Sequence, residues 1–158
     1  MKNVILFLTL IFLGFSCSSQ KMIEGTNIKD TDDNKVIYNI IIEYNKALEG
    51  KDAEKLMTLV SKRYYDSAGT IDGSDDYGYS QLKEILEKRF AQVKEIFQNI
   101  TIKKIFHNKS EKKYYVSYEY NAKFLMDVDG KKEWHKKIDV NQIVLVKEGD
   151  EFKIIKGL

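Results

Sequence analysis

Residues 114–126 read YYVSYEYNAKFLM and alternate between apolar or aromatic residues and polar residues along most of their length. A period of two is typical of a β-strand that packs one face on a hydrophobic core and leaves the other face in water. The large apolar and aromatic side chains fall mainly on the even-numbered positions, from Tyr114 to Met126. The segment therefore predicts a long strand whose even-numbered residues point inward.

The flanking segments predict three more strands. DVDG at residues 127–130 is a hairpin signal, and residues 134–146 predict the returning strand. A turn at residues 148–150 leads into a last strand at 152–155, and another strand, at 100–106, precedes the long one. We expect a four-stranded antiparallel meander in which each strand pairs with the next.

Three amphipathic helices are predicted before the sheet. Residues 31–33 offer side chains that can cap the first helix, and Gly50 can end it. Asp52 is the expected N-cap of the second helix. The third helix carries apolar residues at helical spacing over about residues 80–97, and we expect Phe90, at the centre of that stripe, to be buried.

The order of these elements resembles a known superfamily. IIEYNKALEGKDAEKLMTLV at residues 41–60, a long helix and strands that end in FKIIKGL at 152–158 are similar to the NTF2-like or SnoaL-like fold. The resemblance covers about residues 33–158 and implies an α+β cone, with three N-terminal helices packed on a curved, mainly four-stranded antiparallel sheet. A polar stretch at residues 64–79 stands where such proteins usually have a short hairpin. Some members use the cone as an active site, whereas others only bind, dimerise or recognise partners, so the fold does not decide the function.

The N-terminal sequence predicts an export signal. Lys2 precedes an apolar run at residues 4–13, which is too short to span a membrane, and LGFSC at 13–17 resembles a bacterial lipobox. Cys17 is the only cysteine, so it has no disulfide partner within the chain. We expect a signal peptide at residues 1–16 and a lipidated Cys17 that anchors the protein to the bacterial cell envelope. Ordinary cleavage and an uncleaved anchor are the alternatives.

The composition limits the classes of partner. The chain has 26 basic and 24 acidic residues, a balance that disfavours a nucleic-acid-binding protein. The length fits one domain, predicted at residues 32–158, behind a flexible tether at 17–31. Lysines cluster within residues 103–113 and 131–137, where they suit either an acidic partner or lipid headgroups, or simply keep the sheet soluble.

Aromatic and amide side chains are the candidates for a binding site. If the even-numbered strand residues face inward, the cone interior contains an amphipathic set that suits a small apolar ligand, although the same residues would also serve as ordinary core. Lys136 would share that interior. The predicted ligand-binding residues are Tyr44, Tyr118, Tyr120, Trp134 and Gln142.

No residue pattern supports an assigned catalytic group or cofactor. On the same assumption, His135 and Asp139 fall on the outer face, and His107 lies near a turn. The acidic loop at residues 66–76 offers oxygen ligands for a hard cation, but its spacing does not match a calcium loop, so a solvated loop is the alternative and no metal is assigned.

These patterns favour an envelope-anchored protein with a non-catalytic binding or assembly domain. It would act on a small apolar ligand or a protein partner, and a homodimer is one form of such assembly. The alternatives are a SnoaL-like enzyme of the isomerase or dehydratase type and a structural envelope component without a pocket. A carboxylate or histidine inside the cone would favour the enzyme.

Overall fold

The structure is a computed structural model and describes residues 21–67 and 76–158. The predicted signal peptide, Cys17 and the centre of the acidic loop lie outside these residues. Within the described part, no helix combines the length and the apolar character needed to cross a membrane.

Three helices and six strands make up the described domain. The short strands β1 and β2 pair with each other, and β3 to β6 form an antiparallel sheet in sequential order, as the alternation predicted. The elements are α1 (Asp32–Glu49), α2 (Ala53–Leu59), β1 (Tyr65–Asp66), β2 (Tyr77–Gly78), α3 (Tyr79–Ala91), β3 (Val93–Asn108), β4 (Lys113–Val128), β5 (Lys131–Glu148) and β6 (Glu151–Lys156).

Side-chain caps fix the starts of the first two helices. The Thr31 hydroxyl accepts a hydrogen bond from the backbone N–H of Asn34 at 3.2 Å. The Asp52 carboxylate accepts one from the backbone N–H of Lys55 at 2.8 Å. Each bond satisfies a backbone donor that has no partner within its helix, so both predicted helix starts are confirmed.

The third helix is shorter than predicted. It ends at Ala91, and Val93 and Phe97 belong to strand β3. The pairing of β3 with β4 shifts register between Val93 and Glu95 and again between Ile102 and Lys104. A β-bulge inserts an extra residue into one strand, so inward-facing residues across it are spaced by three instead of two. The first bulge places Val93 and Ile96 on the same face three residues apart, a spacing that a helix also uses, whereas Phe97 points to the opposite face.

The hydrophobic core lies between the helices and one face of the sheet. Phe90 is only half-buried, which corrects the expectation that it sits at the centre of this core, because α3 ends one residue later. The largest apolar side chains that are almost completely buried are Ile37, Ile41, Leu56, Leu82, Val116, Tyr118, Ile143, Leu145 and Ile154.

Two segments expected to lack regular structure contain β-pairing among their described residues. Residues 21–31, expected to be a flexible tether, include a bridge between Met22 and Lys29, and Ile28 belongs to the core. The packed domain therefore begins before residue 32. Within the described part of the polar stretch, Tyr65 and Asp66 of β1 pair with Gly78 and Tyr77 of β2.

The outward edge of β3 is covered by side chains from α1 and the turn that follows it. Asn45 donates to the backbone carbonyl of Gln98 at 3.0 Å, and Glu49 accepts from the backbone N–H of Gln98 at 2.8 Å. Lys51 donates to the carbonyl of Val93 at 3.0 Å. These groups point away from β4 and would otherwise be unpaired at the sheet edge.

The opposite edge of the sheet is covered at one point by the segment after α2. Val60 forms a parallel bridge with Ile154, and the backbone N–H of Ser61 donates to the carbonyl of Ile154 at 2.8 Å. Ser61 also donates its hydroxyl to Glu148 at 2.7 Å. The chain thus contacts both edge strands, β3 and β6, before it enters the sheet.

Candidate functional site

The hairpin between β4 and β5 decides which side chains face the helices. Its two-residue turn pairs Val128 with Lys131, so Tyr118 lies opposite Asn141 and Tyr120 lies opposite Asp139. Directly opposed residues of an antiparallel pair point to the same face. Even-numbered residues of β4 therefore share the concave, helix-facing side with odd-numbered residues of β5.

This register corrects the predicted interior. Trp134, Lys136 and Gln142 point to the convex face, away from the helices, whereas His135 and Asp139 are on the concave side. The prediction assumes that even-numbered residues face inward on β5 as they do on β4. The two-residue turn makes the odd-numbered residues of β5 face inward instead. Of the predicted ligand-binding residues, the structure brings together Tyr44, Tyr118 and Tyr120 and separates Trp134 and Gln142 from them.

A pocket of about 270 Å³ opens between α1, α3 and the concave face. Its walls are mainly apolar, and its polar groups are the three tyrosines, Gln98, Asn141 and Arg89. Asn141 and Arg89 were not predicted as site residues. The two-residue length of the β4–β5 turn implies that Asn141 faces inward opposite Tyr118, whereas no pattern in the sequence singles out Arg89. The apolar wall includes Leu48, Leu86, Phe90, Ile96, Phe124 and Leu158.

The three tyrosines form a continuous cluster at the base of the pocket. The ring centroids of Tyr44 and Tyr118 are 6.5 Å apart, and those of Tyr118 and Tyr120 are 6.2 Å apart. Burial raises the pKa of Tyr44 well above its usual value, and the neighbouring Tyr118 adds to the rise. Burial also raises the pKa of Tyr118, although hydrogen bonding to Tyr44 and Asn141 opposes the rise. The hydroxyls of Tyr44 and Tyr118 therefore stay protonated near neutral pH and act as hydrogen-bond donors or acceptors.

Arg89 is the one positively charged side chain among the described residues that line this pocket. Among the described residues, neither a carboxylate side chain nor an imidazole lines the cavity, and none of the described ion pairs involves Arg89. Its guanidinium carbon lies 5.9 Å from the centre of the Tyr77 ring, a distance at which the ring attracts the cation. The site is therefore an apolar cavity with neutral hydrogen-bonding groups and one positive charge.

The carboxylate of Asp139 and the imidazole of His135, both on the concave face, lie outside this cavity. The Asp139 carboxylate accepts from the backbone N–H of Val140 at 2.8 Å and pairs with Lys137 at 3.4 Å. Both contacts lower the pKa of Asp139, the backbone bond most, so this carboxylate is ionised near neutral pH. His135 lies opposite Phe124 and is exposed.

His107 and the acidic loop have structural contacts. The His107 ring stacks on Tyr114 with centroids 4.0 Å apart. Asp66, at the start of the acidic loop, accepts from the Tyr64 hydroxyl at 3.2 Å and from the backbone N–H of Gly157 at 3.0 Å. Over residues 21–67 and 76–158, no group of three or more His, Cys, Asp or Glu side chains is placed to hold a metal ion.

Solved structures share this architecture, although no protein-family model and no curated protein matches the chain. A ketosteroid isomerase-like protein from Erwinia carotovora atroseptica matches with a TM-score of 0.67 and 14% identity, over 80% of this chain and 94% of that one. A conserved protein from Planctomyces limnophilus matches with a TM-score of 0.65 and 13% identity, over 79% and 92%.

A protein of the NTF2-like family from Streptomyces avermitilis matches with a TM-score of 0.58 and 13% identity, over 79% of this chain and 93% of that one. At these identities the likeness concerns the fold alone. The chain has an NTF2-like α+β fold, with three helices packed on a four-stranded antiparallel sheet. The predicted fold class is confirmed.

Proposed function

We propose that this protein is an envelope-anchored, non-catalytic binding domain that holds a small amphipathic anion in its cone. The observation that carries the proposal is the lining of the concave pocket, in which apolar walls and tyrosine hydroxyls surround a cavity with one cationic side chain, Arg89. A ligand with an apolar body and a single acidic group matches each of these features.

The size of the pocket supports a short ligand. A cavity of about 270 Å³ is slightly smaller than the usual range for small-molecule sites, roughly 300–1,000 Å³. The apolar part would lie against Leu86 and Phe124, and the acidic group would reach Arg89. The hydroxyls of Tyr44 and Tyr120 would orient any further polar group.

The chemistry of the tyrosines disfavours the enzyme alternative. A general base needs a pKa near the working pH, so that it is partly deprotonated before it accepts a proton. Burial moves the pKa of Tyr44 and Tyr118 in the opposite direction. The ionised Asp139 lies outside the cavity and is held by Lys137, so it lacks the raised pKa of a buried carboxyl that shuttles protons.

A matched pair of ligands tests the binding proposal. We expect octanoate to bind the purified domain in isothermal titration calorimetry, and Arg89→Gln to weaken its affinity about tenfold, because the variant removes a charge-assisted contact. Uncharged 1-octanol should bind both proteins equally, because it lacks the carboxylate. Lys88→Gln is the control, since Lys88 precedes Arg89 on α3 but pairs with Glu84 at 2.7 Å and does not line the pocket.

Two results would contradict this proposal. Octanoate that binds equally well to the native protein and to Arg89→Gln would exclude the proposed anion contact. The enzyme alternative would be favoured instead if the native protein altered the ligand chemically during incubation and Asp139→Asn did not.

The envelope location rests on the lipobox at residues 13–17. In a bacterial host, we expect the protein to incorporate labelled fatty acid and to partition into detergent, and Cys17→Ala to abolish both. Ser19→Ala should change neither, because Ser19 lies just beyond the proposed acylation site. Undiminished labelling of Cys17→Ala would refute the anchor.

A further inference from the structure

A second, larger groove lies mainly on the convex face of the sheet and reaches round the edge of β3, where Gln98 lines both this groove and the cone pocket. It measures about 740 Å³ and lies over β3, β4 and β5 near the C-terminal end of α1. Phe97 and Trp134 form an aromatic wall, with ring centroids 5.7 Å apart and an angle of 38° between the rings. Both rings are about half exposed, at 55% and 52%. An open aromatic surface of this kind offers a flat face to a ring-shaped ligand.

Two lysines beside this wall form no ion pair among the described residues. Lys123 and Lys136 are directly opposite each other on β4 and β5, and both line the groove. Like charges directly opposed across strands destabilise a sheet. Neither lysine has an ion-pair partner among the described residues, whereas the adjacent Lys137, on the concave face, pairs with Asp139. The sheet therefore holds two positive charges together where an anion would relieve their repulsion.

The groove also has free amide groups. Asn99 and Asn121 are opposite each other on β3 and β4, and both are exposed and line the groove. Within the part of the chain that the structure describes, their side chains make no hydrogen bond. The Glu49 carboxylate at the groove edge accepts from the backbone N–H of Gln98, so it is held at the strand edge. Amides that both donate and accept suit a ligand with several hydroxyls.

We propose that this groove binds an acidic saccharide. The carboxylate of a uronic acid would lie between Lys123 and Lys136, its hydroxyls would bond to Asn99 and Asn121, and the apolar face of the sugar ring would rest on Trp134. A simple aromatic anion would leave the two amides without a role. A second copy of this chain, docked about a two-fold axis through the groove, would bring the same two lysines against each other.

Trp134 makes the proposal directly measurable, because it is the only tryptophan and lies in the groove. We expect trigalacturonate to change its fluorescence saturably, whereas neutral maltotriose has no effect. The double variant Lys123→Gln, Lys136→Gln should weaken the apparent affinity about tenfold, the combined loss expected for two exposed ion pairs. Lys131→Gln is the control, because this exposed lysine at the hairpin tip is outside the groove.

Further measurements distinguish binding in this groove from binding in the cone pocket. Arg89→Gln, which alters the cone, should leave the trigalacturonate response unchanged, so the two proposals fail independently. Circular dichroism confirms that each variant is folded. Equal affinity in the double variant and the native protein, or an equal response to maltotriose, would overturn the proposal. A Trp134 signal that depends on protein concentration without any sugar would show instead that a second copy covers the face.

Discussion

Strand β5 has two ends that contain similar apolar residues in opposite environments. Residues 131–142 are all exposed, although they include Trp134, Ile138 and Val140, whereas residues 143–146 are all buried. Ile138 is 58% exposed and Ile143 is completely buried on the same strand. The difference teaches that burial in this sheet depends on where other elements cover it, and not on the apolar content of the strand. The exposed end is therefore available for ligands.

Shortening a side chain at the covered end of β5, residues 143–146, should reduce the stability of the domain most. Leu145 is completely buried in the core, so Leu145→Ala removes apolar contacts and leaves a cavity. We expect a loss of about 2–5 kcal/mol in the free energy of unfolding, measured by urea denaturation. A loss below about 1 kcal/mol would show that the helices do not cover this end tightly.

A polar link at the covered end should give a smaller effect with a characteristic pH dependence. The Tyr114 hydroxyl donates to Asp33 on α1 at 2.5 Å, and burial together with this bond raises the pKa of Tyr114 to about 12. Tyr114→Phe should cost about 1–2 kcal/mol at neutral pH, because the bond to a charged acceptor is lost.

The sign of the pH effect follows from the raised pKa of Tyr114. The folded protein favours the protonated phenol, so the stabilisation is complete below about pH 10 and is lost as the pH rises to about 12. Urea midpoints measured across this window should converge for the native protein and Tyr114→Phe. A difference between the two that persists at pH 12 would contradict the assigned bond.

The exposed end should give the smallest effect. Ile138 lies on the uncovered convex face, so Ile138→Ala should change the free energy of unfolding by no more than about 0.5 kcal/mol. Ile143→Ala on the same strand is the matched comparison and should cost several times more. A large loss for Ile138→Ala that grows with protein concentration would mean that another molecule covers this face.

Most of the fold could be predicted from local patterns. The alternation at residues 114–126 and the caps at Thr31 and Asp52 each reflect forces that act within a few residues. The boundary between α3 and β3 could not, because Phe90, Val93 and Phe97 are spaced by three and four positions as on a helix, although Val93 and Phe97 lie on opposite faces of β3 on either side of a bulge.

The candidate site was predicted only in part, for a different reason. Tyr118 and Tyr120 follow from the pattern of β4 itself, whereas the orientation of Trp134 and Gln142 depends on the length of the turn before β5. That turn was correctly located, and its two-residue length reverses which positions face inward. Arg89 enters the pocket through tertiary packing of α3, which no local pattern reports.

The covering of the sheet edges by Asn45, Glu49, Lys51 and the segment around Ser61 limits how this protein can meet its neighbours. An open edge strand accepts the backbone of another chain, which is the first step of strand exchange and of cross-β fibril growth. At Gln98 and Ile154 that route is occupied by the chain's own groups. These positions therefore resist templated stacking, and a neighbouring molecule can contact the domain there only through side chains.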